Sequence, residues 1–488
     1  MSEIRGPSLF DALLPIIVLV ILLAGSVYLF GSDAIGGATQ IVLIIAAAVA
    51  AIIAVRNGHP WRDVERAMIA GIGTAMGAIL ILLAVGSLIG TWLLAGTVPA
   101  MIYYGLHLLH PQIFFAATCL ICAVAALSIG SSWTVAGTLG VGLVGVAQGF
   151  GLSPEVTAGA VISGVYFGDK MSPLSDTTNL APAVAGTDIF THIRHMIWTT
   201  GPSFLIALLL FTIVGLRTSA DIDTAALQET TATLGAAFHI TPLALIPLLV
   251  VFTLAMRKFP PLPTILVGAL IGGLTAIILQ PAAVITLADS PELSTFLALT
   301  KGVWTALASG YVSTTGVITV DNLLTRGGMS SMLTTIWLII CALSFGAILE
   351  HAGMLERLIR SALRTAHSTG ALIFTTAVTC IGTNIVAADQ YIAIVLPGRM
   401  YKAEFKRRGL DPRNLSRVIE DCGTLTSPLV PWNTCGAYMS ATLGVATFAY
   451  LPFAFFNLIN PVVSVLYGAF GITITKLPPE EDSADKDS

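Results

Sequence analysis

Two stretches of this chain carry no charge at all. Residues 67–154 and 422–475 contain no Asp, Glu, Lys or Arg. About 20 such residues already suffice to cross the hydrocarbon of a bilayer, so each stretch holds several crossings. A water-soluble fold of 488 residues could not cover its surface from a sequence that is 55% hydrophobic and 10% charged. Soluble domains carry about 25% charged residues. The chain is therefore read as an all-α polytopic membrane protein.

The remaining composition excludes other classes. The apolar run Ala12 to Phe30 lacks a basic lead-in and a small-residue cleavage site, so it reads as a first transmembrane helix rather than a signal peptide. Cys119 and Cys122 form a CxxC, but no second thiol pair or nearby His cluster completes a zinc site; two small apolar residues on a hairpin arm is the simpler reading. Net charge is −4, with no basic face for nucleic acid, and the acidic end 478–488 reads as a disordered tail. No Walker loop, nucleophile triad or dinucleotide turn is present, so a transporter rather than an enzyme is expected, with no cofactor.

Lys and Arg set the orientation. The segment Arg399 to Arg417 holds seven basic residues against Glu404 and Asp411, and is placed in the cytoplasm. The loops with Arg56, Arg62 and Arg66, with Arg257 and Lys258, and with Arg357, Arg360 and Arg364 belong there too. The connection 217–238, with Asp221, Asp223 and Glu229, belongs outside. Ten spans satisfy these assignments: 11–30, 38–55, 68–94, 154–186, 196–216, 239–256, 263–281, 331–350, 418–446 and 449–472. Two apolar segments, 111–150 and 370–398, remain as hairpins. The arms of the second, around Gly382-Thr383-Asn384, reach only about 18 Å at 1.5 Å per residue, which predicts re-entry on one side; the first is either re-entrant or crosses twice. Both termini fall in the cytoplasm.

The two halves resemble each other. Gly168-Asp-Lys-Met-Ser-Pro-Leu174 lines up with Gly423-Thr-Leu-Thr-Ser-Pro-Leu429, and about 40 residues before each lies a polar hairpin tip. The tips are Ser131, Ser132 and Thr134 in one half and Thr383 and Asn384 in the other. Ala95-Gly96 matches Ala352-Gly353 further back. The topology makes this an inverted repeat, each half with a re-entrant hairpin and a broken helix, a design that places substrate near the midplane. The expected units are an N-terminal helical hairpin (1–59), a first repeat (60–218), a linker with two transmembrane helices (219–299), a second repeat (300–475) and the tail (476–488). The segment 310–330 reads as a short amphipathic or surface insertion.

The chemistry concentrates in Gly168 to Asn179. Ionisable residues inside a membrane are costly and face a cavity or one another. Asp169, Ser172, Ser175, Asp176, Thr177, Thr178 and Asn179 supply hard oxygens, and Pro173 frees backbone carbonyls that can coordinate Na+. The second half repeats the break with Thr424, Thr426, Ser427, Asn433 and Thr434 but without charge, so the site is asymmetric. Asp389 reads either as a helix cap or as a cation ligand. Asp176 first, and Asp169 second, are expected to bind Na+ when ionised and a proton otherwise. Lys170 either pairs with Asp169 or snorkels, and if it pairs, Asp176 is the better candidate for the exchanging proton. Glu420 and Asp421 read as interfacial partners of Arg413 or Arg417 ahead of an ion-entry role, and His192 and His195 as part of a solvated loop ahead of a pH sensor.

These residues resemble the NhaC-type sodium/proton antiporters of the ion-transporter superfamily. The resemblance rests on Gly86 to Gly105, Gly130-Ser-Ser-Trp133, Gly168 to Asn179 and Thr424 to Asn433, and covers roughly residues 60–475. It implies exchange of Na+ for H+ by a secondary transporter of the bacterial inner membrane, with Na+, H+ and the lipid bilayer as partners; a homodimer is compatible. The same family includes proteins similar to malate/lactate exchangers, so a coupled transporter of a small organic anion or amino acid is the alternative.

Overall fold

The protein is described by a computed structural model covering residues 4–30, 34, 36–218 and 224–477. The tail 478–488 and the acidic pair Asp221 and Asp223 lie outside the described residues. Among the described residues β-structure is limited to two isolated bridges, Tyr311 with Arg326 and Leu410 with Lys476. Eight helices there are long and apolar enough to cross a membrane, and ten if two bent pairs each count as one span.

In the first part of the chain α1 (Leu9–Phe30), α2 (Ala38–Arg56) and α3 (Trp61–Thr74) precede α4 (Met76–Leu94) and α5 (Thr97–Leu108). Then α6 (Phe114–Ile129) turns at Gly130 into α7 (Ser132–Val135), which runs through a π-helical turn, Ala136–Gly140, into α8 (Val141–Gly149). The helices α9 (Pro154–Met171) and α10 (Asp176–Ala185) follow, then α11 (Ile189–Thr218). The middle holds α12 (Thr224–Ala237), α13 (Ile246–Met256), α14 (Pro261–Leu279), α15 (Pro281–Ala288), α16 (Thr295–Ser309) and α17 (Ile318–Leu324). The last part comprises α18 (Leu333–His351), α19 (Met354–Leu363), α20 (Thr369–Val386), α21 (Gln390–Arg407), α22 (Pro412–Ile419), α23 (Thr434–Leu443), α24 (Thr447–Tyr450) and α25 (Phe455–Phe470).

The same order of backbone breaks occurs twice, 257 or 258 residues apart. Gly96 and Gly353 are both left-handed and each starts a helix after a long apolar one. The hairpin turns have positive φ at Gly130 and Ala388, and the next residue, Ser131 or Asp389, caps the returning arm. The broken helices begin at Ser153-Pro154 and Asp411-Pro412, each a side-chain cap followed by a first-turn proline. Both resume at a capping residue, Ser175 or Asn433, and both end eleven residues later at a left-handed glycine, Gly186 or Gly444.

This correspondence corrects two readings. The second hairpin turns at Ala388-Asp389, not at Gly382–Asn384, because Thr383 and Asn384 lie within α20 and Thr383 Oγ1 donates to Thr379 O as a helix-interior residue does. Each arm then has 18 residues, about 27 Å of helix, so short arms no longer argue for re-entry. The break Ser172-Pro173-Leu174-Ser175 corresponds to Val430-Pro431-Trp432-Asn433 rather than to Ser427-Pro428-Leu429, for Ser172 and Val430 are the extended residues. The 310–330 segment holds the short helix α17, with Val320, Leu323 and Leu324 buried and Ile318 exposed, and its far end packs inward: Gly328 N–H donates to Gly86 O, and a Cβ at Gly86 would stand 2.4 Å from Gly328 O.

Lipid chains offer no hydrophobic drive between helices, so close packing decides. The seam of α6 and α9 shows this. A Cβ added at Gly164 would stand 2.2 Å from Cys119 O, and one at Gly168 2.2 Å from Ala123 O. Cys119 and Cys122 are buried free thiols on that seam, filling it as small apolar residues. Gly164→Ala should therefore cost about 1–3 kcal/mol through overpacking, read as a lowered melting temperature of the detergent-solubilised protein. Gly73→Ala, with open space at its Cβ, should leave that temperature unchanged.

Candidate functional site

Four helix starts meet around one cavity. Ser131, Ser175, Asp389 and Asn433 each turn a side-chain oxygen onto a backbone N–H of the following helix: Thr134 at 3.3 Å, Thr178 at 3.5 Å, Ile392 at 2.9 Å and Cys435 at 3.0 Å. Caps of this kind are worth about 1 kcal/mol each, and here they fix where the chain restarts after each break. The cavity has a volume of about 280 Å³, large enough to hold several waters or a hydrated cation. Its wall includes Ser131, Ser132 and Trp133 from the first hairpin, Asp169 and Asp176 from the first broken helix, Asp389, Gln390 and Tyr391 from the second hairpin, and Thr434 and Cys435 from the second broken helix. Thr74 and Ala75, where α3 passes into α4, close another side.

The three carboxylates of this cavity stand in different surroundings. Asp176 lies in the first turn of α10 and accepts the Thr177 N–H at 2.9 Å and the Tyr391 hydroxyl. Asp389 caps α21, which is the structural one of its two sequence readings, yet it also faces the cavity. Both stand at helix starts, where the backbone dipole and free N–H groups answer negative charge. Asp169 stands at the opposite pole, in the last turn of α9, where carbonyl ends accumulate negative potential. It is 4% exposed and accepts a hydrogen bond from Ser132 Oγ at 2.7 Å; among the described residues its Oδ1 makes no hydrogen bond of good geometry, although the Ser132 N–H and the Ser175 hydroxyl stand near the carboxylate. Among the described residues no three His, Cys, Asp or Glu side chains close on one point as a resident metal cage would.

The other candidate residues build the walls. Thr178 Oγ1 donates to Lys170 O at 3.0 Å and Asp169 O at 3.2 Å, holding the frayed end of α9. Asn179 Nδ2 donates to Ser175 O and Pro173 O across the break, and Ser172 Oγ accepts Leu174 N–H within it. Thr177 Oγ1 shares a hydrogen bond with Ser175 Oγ, and Thr134 Oγ1 with Ser131 Oγ. In the second half Asn384 Nδ2 donates to Gly423 O and Thr426 Oγ1, and Asn433 Nδ2 to Asn384 Oδ1. Ser427 Oγ donates to Gln390 Oε1, and Thr383 stays in α20. Thr424 is buried with an unpartnered hydroxyl.

At the cavity, Tyr391 and Tyr438 cross between the halves, and neither was foreseen. Tyr391, one position beyond Gln390 in the second hairpin, reaches Asp176 of the first broken helix. Tyr438 of α23 stacks on Trp133 of the first hairpin at 4.0 Å between ring centroids, and its hydroxyl donates to Trp133 O. Trp133 and Tyr391 occupy corresponding positions in the two hairpins, three residues after the left-handed turn residue. An aromatic next to a polar tip was the available signal.

Behind the cavity lies a second polar cluster, and it corrects three readings. Lys170 pairs with Asp421, not Asp169, and both side chains are fully buried. Glu420 and Asp421 are fully buried and not interfacial, because the helix from Asn414 to Pro428 runs inside the protein. His192 and His195 are buried in α11 rather than solvated; His192 Nδ1 and Ser416 Oγ share a hydrogen bond. Since Lys170 is engaged elsewhere, no ion pair neutralises Asp169.

Comparison with known proteins shows the family. The model of the Na+/H+ antiporter family matches residues 164–472. The chain is 39% identical over 447 residues to the Na+/H+ antiporter NhaC of Alkalihalophilus pseudofirmus, covering 92% of this chain and 93% of the relative. It is 38% identical to an uncharacterised Na+/H+ antiporter of Haemophilus influenzae, over 97% of this chain and 98% of the relative. It is 34% identical to the malate-2H+/Na+-lactate antiporter of Bacillus subtilis, over 96% of each.

The Lys170–Asp421 pair joins the two halves, and removing one partner strands the other charge. Lys170→Met should cost about 3–5 kcal/mol, measured as reduced thermal stability in detergent. The double variant Lys170→Met with Asp421→Leu should recover most of that loss, since it removes both charges together.

Proposed function

The chain belongs to the Na+/H+ antiporter family, and we propose that it exchanges Na+ for H+ across the bacterial plasma membrane, with Asp169 as the carboxylate that the two cations share. One observation carries this reading: Asp169 is buried at the cavity wall, and among the described residues one of its carboxylate oxygens makes no hydrogen bond of good geometry and no cation stands beside it. A buried carboxylate in that state wants a positive charge from outside. A proton on Oδ1 supplies it with a short covalent bond, and Na+ supplies it by coordination. The oxygens of Ser131, Ser132, Asp176 and Thr434 lie around the same cavity and complete a hard-oxygen environment. Because the two cations compete for one group, neither loads until the other leaves, which is exchange.

The paired order of breaks fits two inverted halves whose hairpins meet at this cavity, with both termini cytoplasmic; alternating access would then move a hairpin-containing unit against the rest. A second reading has its own support. Four helix starts converge on the cavity, and such ends bind carboxylate groups. A small organic anion co-transported with the cation would use them.

Reconstituted protein decides between these. With an Na+ gradient and no organic solute, the wild type should move H+. Asp169→Asn should slow this at least about 100-fold, equivalent to about 2.7 kcal/mol of barrier. Asp176→Asn, which keeps an acceptor for Tyr391, should slow it by about tenfold, or about 1.4 kcal/mol. Full activity in Asp169→Asn would remove it from the exchange. Na+ flux that appears only with malate, lactate or an amino acid would replace the first reading by the second.

A further inference from the structure

The cluster behind the cavity contains a carboxylic acid that the exchange at Asp169 does not use. Glu420 is 0% exposed, and among the described residues neither carboxylate oxygen makes a hydrogen bond of good geometry, although the Thr177 and Thr424 hydroxyls face it. It opens a π-helical turn, Glu420–Thr424, that continues α22. Such turns widen a helix locally and recur at functional positions. Around Glu420 stand Asp169 and Lys170 of α9, Thr177 of α10 and Thr424 of its own turn. Further out, Asp421 has Arg417 and Ser464 beside it, and His192 of α11 faces Lys170 and Asp421.

The local charges do not settle Glu420. Lys170 is the cation beside it, but the Lys170 ammonium already donates to Asp421. Arg417 neighbours Asp421 and Tyr467, and one of its guanidinium nitrogens donates to Thr473 Oγ1 at 2.7 Å. An ionised Glu420 would be a second carboxylate on a single buried ammonium, and a protonated one leaves that ammonium to Asp421. The charge of Glu420 is therefore coupled to the Lys170–Asp421 pair: ionised, it adds a second buried carboxylate beside one ammonium, and protonated it adds none.

We propose that Glu420 is a second proton-carrying carboxylate of this transporter, distinct from the Asp169 cavity and governed by the Lys170–Asp421 pair. When its proton leaves, one O–H bond breaks, and the carboxylate left behind is faced by the Lys170 ammonium; the proton is taken up by water or imidazole and no other bond changes. His192 stands beside Lys170 and Asp421, and His195 beside Arg413 and Arg417; among the described residues the buried Nε2 of each has no hydrogen-bond partner. Only the transport measurement below rests on the Na+/H+ exchange reading.

The test has two arms on the full-length protein. In purified protein, infrared difference spectra between acidic and alkaline buffer should contain a protonated-carboxyl C=O band that is absent in Glu420→Gln and retained in Asp169→Asn. Gln keeps the shape of the protonated acid, and Glu420→Asp should restore a shifted band. A spectrum unchanged by Glu420→Gln overturns the proposal whatever ions the protein moves. In proteoliposomes, H+ moved per Na+ should fall to about half in Glu420→Gln, one of two carried protons being lost, and return in Glu420→Asp. A band lost with an unchanged ratio would make Glu420 a buried acid that does not turn over, and would also overturn the proposal. A wild type that moves no H+ against Na+ sinks the exchange reading instead, and the infrared arm then decides on Glu420 alone.

Discussion

The fully buried ion pair between Lys170 and Asp421 is the contact on which the site depends. Isolated charges in a low-dielectric interior cost several kcal/mol each, and a close partner repays that only where geometry is good. Here the partners come from different halves of the chain, 251 residues apart. The pair therefore ties the end of α9 to the π-helical turn beyond α22. It also consumes the positive charge that would otherwise neutralise Asp169. The open carboxylate in the cavity is a consequence of where Lys170 goes.

The hairpins add a second tie. Tyr391 of one hairpin meets Asp176 of the opposite broken helix, and Tyr438 of the other broken helix stacks on Trp133 of the opposite hairpin. Each half thus lends an aromatic side chain to the other half's polar break. The Tyr438–Trp133 stack is worth about 0.5–1.5 kcal/mol beyond area burial, enough to hold two elements together but weak enough to release. Glycines allow the approach at the first turn: a Cβ at Gly130 would stand 2.6 Å from Leu174 Cβ, so the hairpin sits directly on the break.

The membrane character was legible in the sequence because lipid imposes composition directly: long charge-free runs leave few alternatives. The breaks were legible through Pro173 and Pro431, which cannot continue a helix. The correspondence between halves was less so. Identity matching aligned Ser172-Pro173-Leu174 with Ser427-Pro428-Leu429, whereas the backbone aligns it with Val430-Pro431-Trp432. The residues that set that backbone are caps, and Ser, Asp and Asn perform this task almost interchangeably. Ser131 and Asp389, or Ser175 and Asn433, share a role without sharing an identity. The second hairpin turn was misplaced for the same reason, since a left-handed Ala388 gives no glycine signal. The partner of Lys170 had no local signal of any kind, being set by tertiary contact alone.

The polarity of the broken helices then explains why three aspartates on one cavity need not act alike. At each break the chain ends one helix and starts another, so negative and positive backbone ends lie within a few residues. Asp176 and Asp389 stand at starts and are answered by N–H groups. Asp169 stands at an end and is answered by the Ser132 hydroxyl. A mobile cation entering the cavity is drawn to the carboxylate whose surroundings are least satisfied, and the fold makes that Asp169. The same helix end carries Lys170, which turns away from the cavity to Asp421. Two adjacent residues, Asp169 and Lys170, thereby divide the tasks of binding and bracing.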